Sequence, residues 1–558
     1  MITFKNVMVF FFSLSMSVLI FSLNISGISV ECEDICFEDN KDYEKFCDAK
    51  LEISSFKGKI DNFYQKESDL IGDFNASGSV GIIPWAKAFG LSNWDTGMQF
   101  CETSDGGYVI AGCTKSSGSG GYDILVLKIN SSGNILWAKT FGGSGDEEAN
   151  SMCKTSDGGY LVAGYTNSFG SGSSDIFVLK LDDSGNIVWA KAYGGNDIDV
   201  AKVIFETSDG KYIVAGNTTS FGEGSFDFLV LKLDTDGTVL WSKTYGQSDY
   251  EDLSSMVKLS GDGYVILGYQ LSFSSNDGNV VVVKLDSDGD ILWSKLYGGN
   301  DEDRCYSIEE TSDGGYTVTG YTSSFGAGYK DVLVMKLTSS GNISWAKTYG
   351  NADNEGGNSI FQTSDGGYLI TGYTTLSNRG EDFFILKLDS NGNVVVKKAF
   401  GESADDRGVY CMEISGGYMI LGNTYSFGEG NWDLLLLKLD ENFMIGDNCS
   451  YLCLWSHSIN SGSIAISNLN FQISAPQVLA VNPNVNTGLV EMHLNVICLV
   501  TGDVNEDGVI DIGDVISLSN YLSGNLEEDE IDLNSSDVNR DGSIDAVDVC
   551  LLLNRVSN

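Results

Sequence analysis

A period of 52 residues, four strand-like runs in each period and seven copies predict a mainly β chain, organised as a seven-bladed β-propeller with four-stranded blades. The tyrosine after a glycine-rich turn recurs at Tyr108, Tyr160, Tyr212, Tyr264, Tyr316, Tyr368 and Tyr418, in steps of 52 residues that shorten to 50 before the last. Trp85, Trp137, Trp189, Trp241, Trp293 and Trp345 keep the same step, and Val396 takes the seventh place. A fixed period of this length marks a repeat architecture.

In the second copy the runs are Ile135 to Phe141, Asn150 to Thr155, Tyr160 to Thr166 and Asp175 to Leu181. They are short and rich in Val, Ile, Leu, Tyr and Trp, which suits strands rather than helices. Ser156-Asp157-Gly158-Gly159 gives a hairpin signal, and Gly/Ser-rich loops join the third and fourth runs. One four-stranded sheet cannot bury both faces. Stacking it against its neighbours does so, and closing the ring removes the end faces. The run at Trp85 is expected to pair with the last set, Tyr410 to Leu439, and latch the ring. An open solenoid is the alternative, but neither end of the array looks like a polar cap.

In chain order, residues 1–29 carry Lys5 and then an uncharged apolar stretch from Val7 to Leu23, which reads as a secretory signal peptide, with an uncleaved anchor as the alternative. Residues 30–80 form an acidic segment with Cys32, Cys36 and Cys47. Residues 81–446 are the propeller. Residues 447–500 hold short alternating runs and two of the three prolines, and read as a small β module: a spacer or an edge pack on the ring. The twelve cysteines suit an oxidising compartment. Cys101 and Cys153 fall at one strand position in adjacent copies and read as buried thiols. Cys32, Cys36, Cys47, Cys449, Cys453 and Cys498 are the better candidates for oxidation, and a bond between the two groups would brace ring closure. Neither Cys-x3-Cys pair has partners at zinc spacing, and the two histidines are His457 and His493.

Residues 501–558 hold a second motif, twice. Asp503, Asn505, Asp507, Asp511 and Asp514 occupy positions 1, 3, 5, 9 and 12 of one loop; Asp537, Asn539, Asp541, Asp545 and Asp548 occupy those of the other. Glycine stands at position 6 of each, and Val509 and Ser543 at position 7 offer a backbone carbonyl. Hard oxygen donors around a glycine turn are what a calcium loop needs. Each loop is followed by a short apolar helical pattern, so two calcium ions are expected.

This pair resembles a type I dockerin. The resemblance implies a calcium-folded, α-helical module that docks onto a cohesin domain of a scaffoldin or surface protein. In that family loop positions 10 and 11 help select the cohesin. Here they are Ile512-Gly513 and Ala546-Val547, which depart from the Ser-Thr pair of some dockerins and differ between copies. Ser519, Asn520, Leu553 and Asn554 complete the implied partner surface. Residues 82 to 440 resemble the repeats of secreted bacterial and archaeal β-propeller proteins, with copies of the T-S-D-G-G-Y type.

A net charge of −44, from 77 acidic and 33 basic residues, argues against nucleic acid or an anionic membrane as partner. An acidic cluster follows each Trp run, as at Asp146-Glu147-Glu148 and Asp301-Glu302-Asp303. It is read as a solvated, loop-capping feature, with a cation-binding rim as the alternative. Lysines such as Lys128 and Lys180 also repeat, and are expected to cover strand surface and meet repeat aspartates such as Asp123 or Asp175. No histidine lies in the ring, so a Ser-His-Asp or Cys-His site there is excluded. Two carboxylates would serve glycoside cleavage, but carboxylates are too numerous here to diagnose it. The sameness of the copies argues against a catalytic blade. Trp94 and Trp432 are singular and flank the expected closure, which makes them the candidates for a stacking ligand site. The expectation is therefore a secreted, extracellular, non-catalytic binding or scaffolding propeller, joined through a calcium-dependent dockerin to a cohesin-bearing, cellulosome-like or cell-surface assembly, with polysaccharide as a possible ligand. A polysaccharide-degrading enzyme (glycoside hydrolase or lyase) and a surface adhesion protein are the alternatives.

Overall fold

The computed structural model describes residues 84–445, apart from 272–277, 376–379, 403 and 429–430, together with the backbone of seven short strands between 452 and 499. The proposed signal peptide, the segment 30–80 and both calcium loops lie outside the described residues.

Seven sheets stand around an axis. The second blade shows the pattern. Glu147–Lys154 is innermost, followed outward by Tyr160–Thr166, Asp175–Leu181 and Ile187–Gly194, all antiparallel. The two middle strands are buried almost throughout, because neighbouring blades cover both their faces. That is why they read as continuous apolar runs rather than alternating ones. The cores lie between blades: Val109, Ala111 and Val126 of the first blade pack with Val162, Phe177 and Leu179 of the second. Each fully buried Val, Leu or Phe contributes about 1.5–3 kcal/mol. The Trp run of each copy is the outermost of these four strands in the preceding blade. The seventh blade therefore lacks one, and Trp85–Gly90 supplies it by pairing with Asp433–Asp440. This is the expected latch, and the ring is closed.

The inner strand begins earlier than its apolar pattern suggests, at Glu147 rather than Asn150. Its bulge, between Ala149 and Ser151, brings the Glu148 carbonyl against Gly164: a Cβ there would sit 1.7 Å from that oxygen. The copies at Gly112, Gly216, Gly320 and Gly372 meet a carbonyl at 1.8–1.9 Å in the same way. A backbone wall cannot yield as a side chain can. Gly164→Ala is therefore expected to cost about 2–4 kcal/mol of stability, read as a lower denaturant midpoint of the intact chain.

The repeated lysines do not meet Asp123 or Asp175. Lys180 Nζ donates to Asp157 at 2.8 Å and to the Thr155 hydroxyl at 2.8 Å, and Lys128, Lys232, Lys336 and Lys387 pair with Asp105, Asp209, Asp313 and Asp365 in the same way. The reason is geometric. Asp175 begins the strand that Lys180 nearly ends, some 16 Å away at about 3.3 Å per residue. Asp157 sits in the hairpin turn at the lysine's own end. Cys101 and Cys153 are free thiols, half-buried on adjacent inner strands, and Cys113, Cys305 and Cys411 are buried thiols.

The segment 452–499 adds a fifth strand to every blade. Leu452–Cys453 pairs with the outer strand of the sixth blade, Ser458–Asn460 with the fifth, Ala465–Asn468 with the fourth, Gln472–Ser474 with the third, Leu479–Val481 with the second and Asn486–Leu489 with the first. His493–Leu499 then pairs along the whole of the latch strand, Trp85–Gly90. The chain thus circles the ring once, against the order of the blades.

Candidate functional site: the face bearing the inter-blade loops

Inner strands of successive blades stand side by side around the axis. Their first residue is a carboxylate in six blades by direct strand start, and in the fourth by Glu251, the second residue of Tyr250–Lys258. Asp95, Glu147, Asp199, Glu251, Asp303, Glu355 and Asp406 are all buried. Each caps the loops above it. Glu147 accepts hydrogen bonds from the Gly143 amide at 2.6 Å, the Thr166 hydroxyl at 2.7 Å and the Ser168 amide at 3.2 Å. A second buried acid stands at the start of the third strand in six blades: Asp123, Asp175, Asp227, Asp331 and Asp433 as the first residue and Asp382 as the second, with Asn279 second in the fourth blade. The two acids converge on one glycine. A Cβ on Gly194 would lie 2.0 Å from Asp175 Oδ1 and 2.7 Å from Asp199 Oδ2. Burial, and then the facing carboxylate, pushes Asp123 up to about 6 and raises Asp175. Burial likewise pushes Glu251 and Glu355 up to about 7 against their loop hydrogen bonds. The acidic clusters therefore contain a buried capping acid each. Among the described residues no three His, Cys, Asp or Glu side chains gather as a metal site.

The residue after each capping acid varies from blade to blade, as does the one two further along the strand (Met98, Asn150, Lys202, Ser254, Tyr306, Asn358 and Val409). The first series is Thr96, Glu148, Val200, Asp252, Arg304, Gly356 and Arg407, paired across the strand with Cys113, Tyr165, Asn217, Tyr269, Tyr321, Tyr373 and Asn423. Arg304 and Arg407 are the arginines among the described residues, and both stand in this series. All of it lies at the end of the inner strands that carries the inter-blade loops.

Arg304 is enclosed. Its guanidinium lies 3.8 Å from the Tyr269 ring centroid, its Nε 2.9 Å from Glu302. Lys330 Nζ sits 3.9 Å from the Tyr321 ring, and Tyr269 and Tyr321 are buried.

Arg407 is open. It ion-pairs with Glu381, and its guanidinium lies 5.5 Å from the Trp432 ring and 5.9 Å from that of Tyr373. Trp432 stands 6.4 Å from Trp94, with ring planes at 44°, and 6.0 Å from Tyr425, edge to face. Trp94 is 40% exposed and Tyr425 46%. The seam between seventh and first blades fixes this group: the Asp95 amide donates to the Trp432 carbonyl at 2.7 Å, and the Asn423 side chain accepts from the Gly97 amide at 2.8 Å and donates to its carbonyl at 3.2 Å. The structure thus brings Trp94 and Trp432 together.

Residues 501–557 match the family described as Dockerin type I domain. The chain carries a type I dockerin. Type I dockerins bind calcium and dock onto cohesin domains. Residues 207–239, in the third blade, match a domain of unknown function (DUF5122) described as a beta-propeller. Over 160 residues the chain is 27% identical to Regulatory protein FlaEY of Caulobacter vibrioides, covering 24% of this chain and 17% of that protein, so it spans under a fifth of that relative's length. Among solved structures, Sqt1 from Chaetomium thermophilum aligns at 9% identity with a TM-score of 0.36, over 62% of this chain and 82% of its own. A eukaryotic initiation factor aligns at 10% with a TM-score of 0.30, over 71% and 98%.

The dockerin's expected ligands, from Asp503 to Asp514 and from Asp537 to Asp548, and its expected partner surface (Ile512, Gly513, Ser519, Asn520, Ala546, Val547, Leu553 and Asn554), lie outside the described residues. As a donor set they fit calcium: every side-chain position offers oxygen, with no sulfur or imidazole. In the ring, reading the sequence for singular tryptophans found Trp94 and Trp432 but missed Arg407, Glu381, Tyr373 and Tyr425. The rarity of arginine was the signal available: the whole chain has five.

Proposed function

We propose that the protein is a secreted, non-catalytic binding or scaffolding propeller, held on a cohesin-bearing assembly by its dockerin, with the seam around Trp94 and Trp432 as its ligand site. The observation that carries this reading is where the blades differ. Their frames largely repeat, but both arginines among the described residues and the singular Trp94 and Trp432 stand on the loop-bearing face, with Trp94 and Tyr425 exposed. The repeated capping acids favour binding over cleavage. They are buried and hold loop amides, whereas a glycosidase needs two carboxylates open to the sugar. Calcium in the dockerin would be held by Asp503, Asn505, Asp507, Asp511 and Asp514 and the Val509 carbonyl in one loop. Asp537, Asn539, Asp541, Asp545 and Asp548 and the Ser543 carbonyl would hold it in the other. Bound there, the cation cross-links each loop and so folds the module.

Incubating the intact chain with a panel of plant polysaccharides tests the reading. Retention on one or more insoluble polysaccharides, with no new reducing ends and no unsaturated products, is the expected result. Product formation would replace it with the degrading-enzyme reading.

A further inference from the structure

We propose that the seam platform of Trp94, Trp432, Tyr425, Tyr373, Arg407 and Glu381 binds a neutral oligosaccharide. This inference rests on the binding reading above and names the ligand class.

The apolar part of the argument is the aromatic group. Trp94 and Tyr425 are open to solvent, and Trp432 stands between them, within 6.4 Å of one and 6.0 Å of the other. The other tryptophans among the described residues belong to the repeated outer strands, so this pairing occurs once in the described ring. The backbones that carry its rings are hydrogen-bonded to their neighbours: the Asp95 amide donates to the Trp432 carbonyl and the Lys115 amide to the Trp94 carbonyl. A fixed aromatic face loses little conformational entropy when a flat apolar face stacks on it. A pyranose offers such a face of C–H groups.

The polar part is the ion pair. Arg407 keeps 47% of its side chain exposed and Glu381 keeps 25%. A guanidinium donates only and a carboxylate accepts only. A sugar hydroxyl does both, so adjacent hydroxyls are satisfied by the two together. Charged ligands fit less well. The pair is electrically balanced, and the chain's net charge of −44 repels a polyanion. A cationic ligand would meet a like charge at Trp432 and Tyr373, since Arg407 already lies over both. The enclosed Arg304 cluster offers no such surface, since Tyr269 and Tyr321 are buried.

The test titrates the intact chain with xylo-, manno- and gluco-hexasaccharides, following tryptophan fluorescence and heat, and runs polygalacturonate and chitosan as charged comparisons. At least one neutral hexasaccharide is expected to bind, with affinity unchanged within about twofold on adding about 0.5 M NaCl, as screening touches only ionic contacts. Trp432→Ala and Trp94→Ala are each expected to weaken it about tenfold or more, with unchanged melting temperature showing that the ring is intact. Glu381→Gln should weaken it less, since the amide still accepts. Binding that survives both tryptophan variants would overturn the inference while leaving the binding reading in place. So would preference for polygalacturonate or chitosan, or no response to any neutral hexasaccharide by a chain still captured by cohesin. Cleavage of a hexasaccharide would sink the binding reading itself.

Discussion

Stripping calcium from the intact chain is expected to abolish its capture by a cohesin while leaving the ring folded. Both loops place carboxylates at position 1, Asp503 and Asp537, and crowd further acids at positions 5, 9 and 12. Without the cation those acids repel one another across a loop too short to separate them, and the apolar helical patterns that follow have too little surface to fold alone. Metal binding is then folding free energy. Removing one ligand from each loop, as Asp503→Ala with Asp537→Ala, should reduce capture by roughly 100-fold or more at physiological calcium, about 2.7 kcal/mol in affinity. The ring's capping acids accept hydrogen bonds from loop amides, so no comparable dependence on the metal is expected of it. Two transitions should therefore separate. EDTA should lower capture to background and leave the melting of the β signal where it was. Capture that persists in EDTA would remove the dockerin from the account of how this chain is held.

Most of the ring could be read from the chain, because a blade is specified locally. Period, turn glycines and apolar runs all act within about 50 residues, and each copy repeats the message. Two things were less legible. The start of the inner strand was hidden by its composition: Glu147 and Glu148 look like loop residues, and only the neighbouring blade's loops explain why Glu147 is inside. The encircling fifth strand was harder still, since its partners lie up to several hundred residues away. A signal was present nonetheless. From Ser458 to His493 the strands begin every seven residues, and the sequence carries Ile464, Phe471, Val478, Val485, Met492 and Leu499 at that step. Seven extended residues span about 23 Å, which suits the step from one blade's outer edge to the next. A seven-residue apolar step is usually taken for a helix seam. Pro476 and Pro483 argue against that here. The lysine partners failed for a simpler reason: sequence shows which charges recur, not which end of a strand they share.

Lowering the pH from 8 to 5 is expected to stabilise the ring. The paired acids beneath the loops set the sign. Burial pushes Glu251 and Glu355 up to about 7 and Asp123 up to about 6, and raises Asp175, Asp227, Asp303, Asp331 and Asp406. An acid whose folded value exceeds its unfolded one binds protons on folding. Its contribution is complete below the unfolded value, near 4, and is lost as pH rises through 6 to 7. Facing these pairs are hydrogen-bond donors from the loops and the opposing acid itself, as at Asp175 and Asp199. The turn acids set the opposite limit. Burial opposes their ionisation, but bonds from Lys180 and Thr155 hold Asp157 down at about 2, and Lys336 and Thr311 do the same for Asp313. Their contribution is present above about 4 and lost towards 2. Stability should therefore peak near pH 4–5, with a melting temperature roughly 5 °C above that at pH 8, from a difference of a few kcal/mol. Measured in EDTA, so that the dockerin's calcium plays no part, melting temperature against pH checks this. The fourth blade supplies the design of the variant. Asn279 already stands there in place of the second acid, opposite Asp303. Asp227→Asn should make the third blade like it, relieving Glu251 and raising the melting temperature at pH 8 but not at pH 5. Asp183→Asn, an exposed change of equal charge, should do neither. A melting temperature that falls between pH 8 and 5 would overturn this account, and a response to Asp183→Asn equal to that of Asp227→Asn would mean that relief of the chain's overall negative charge, not the buried pairs, governs the ring's response to acid.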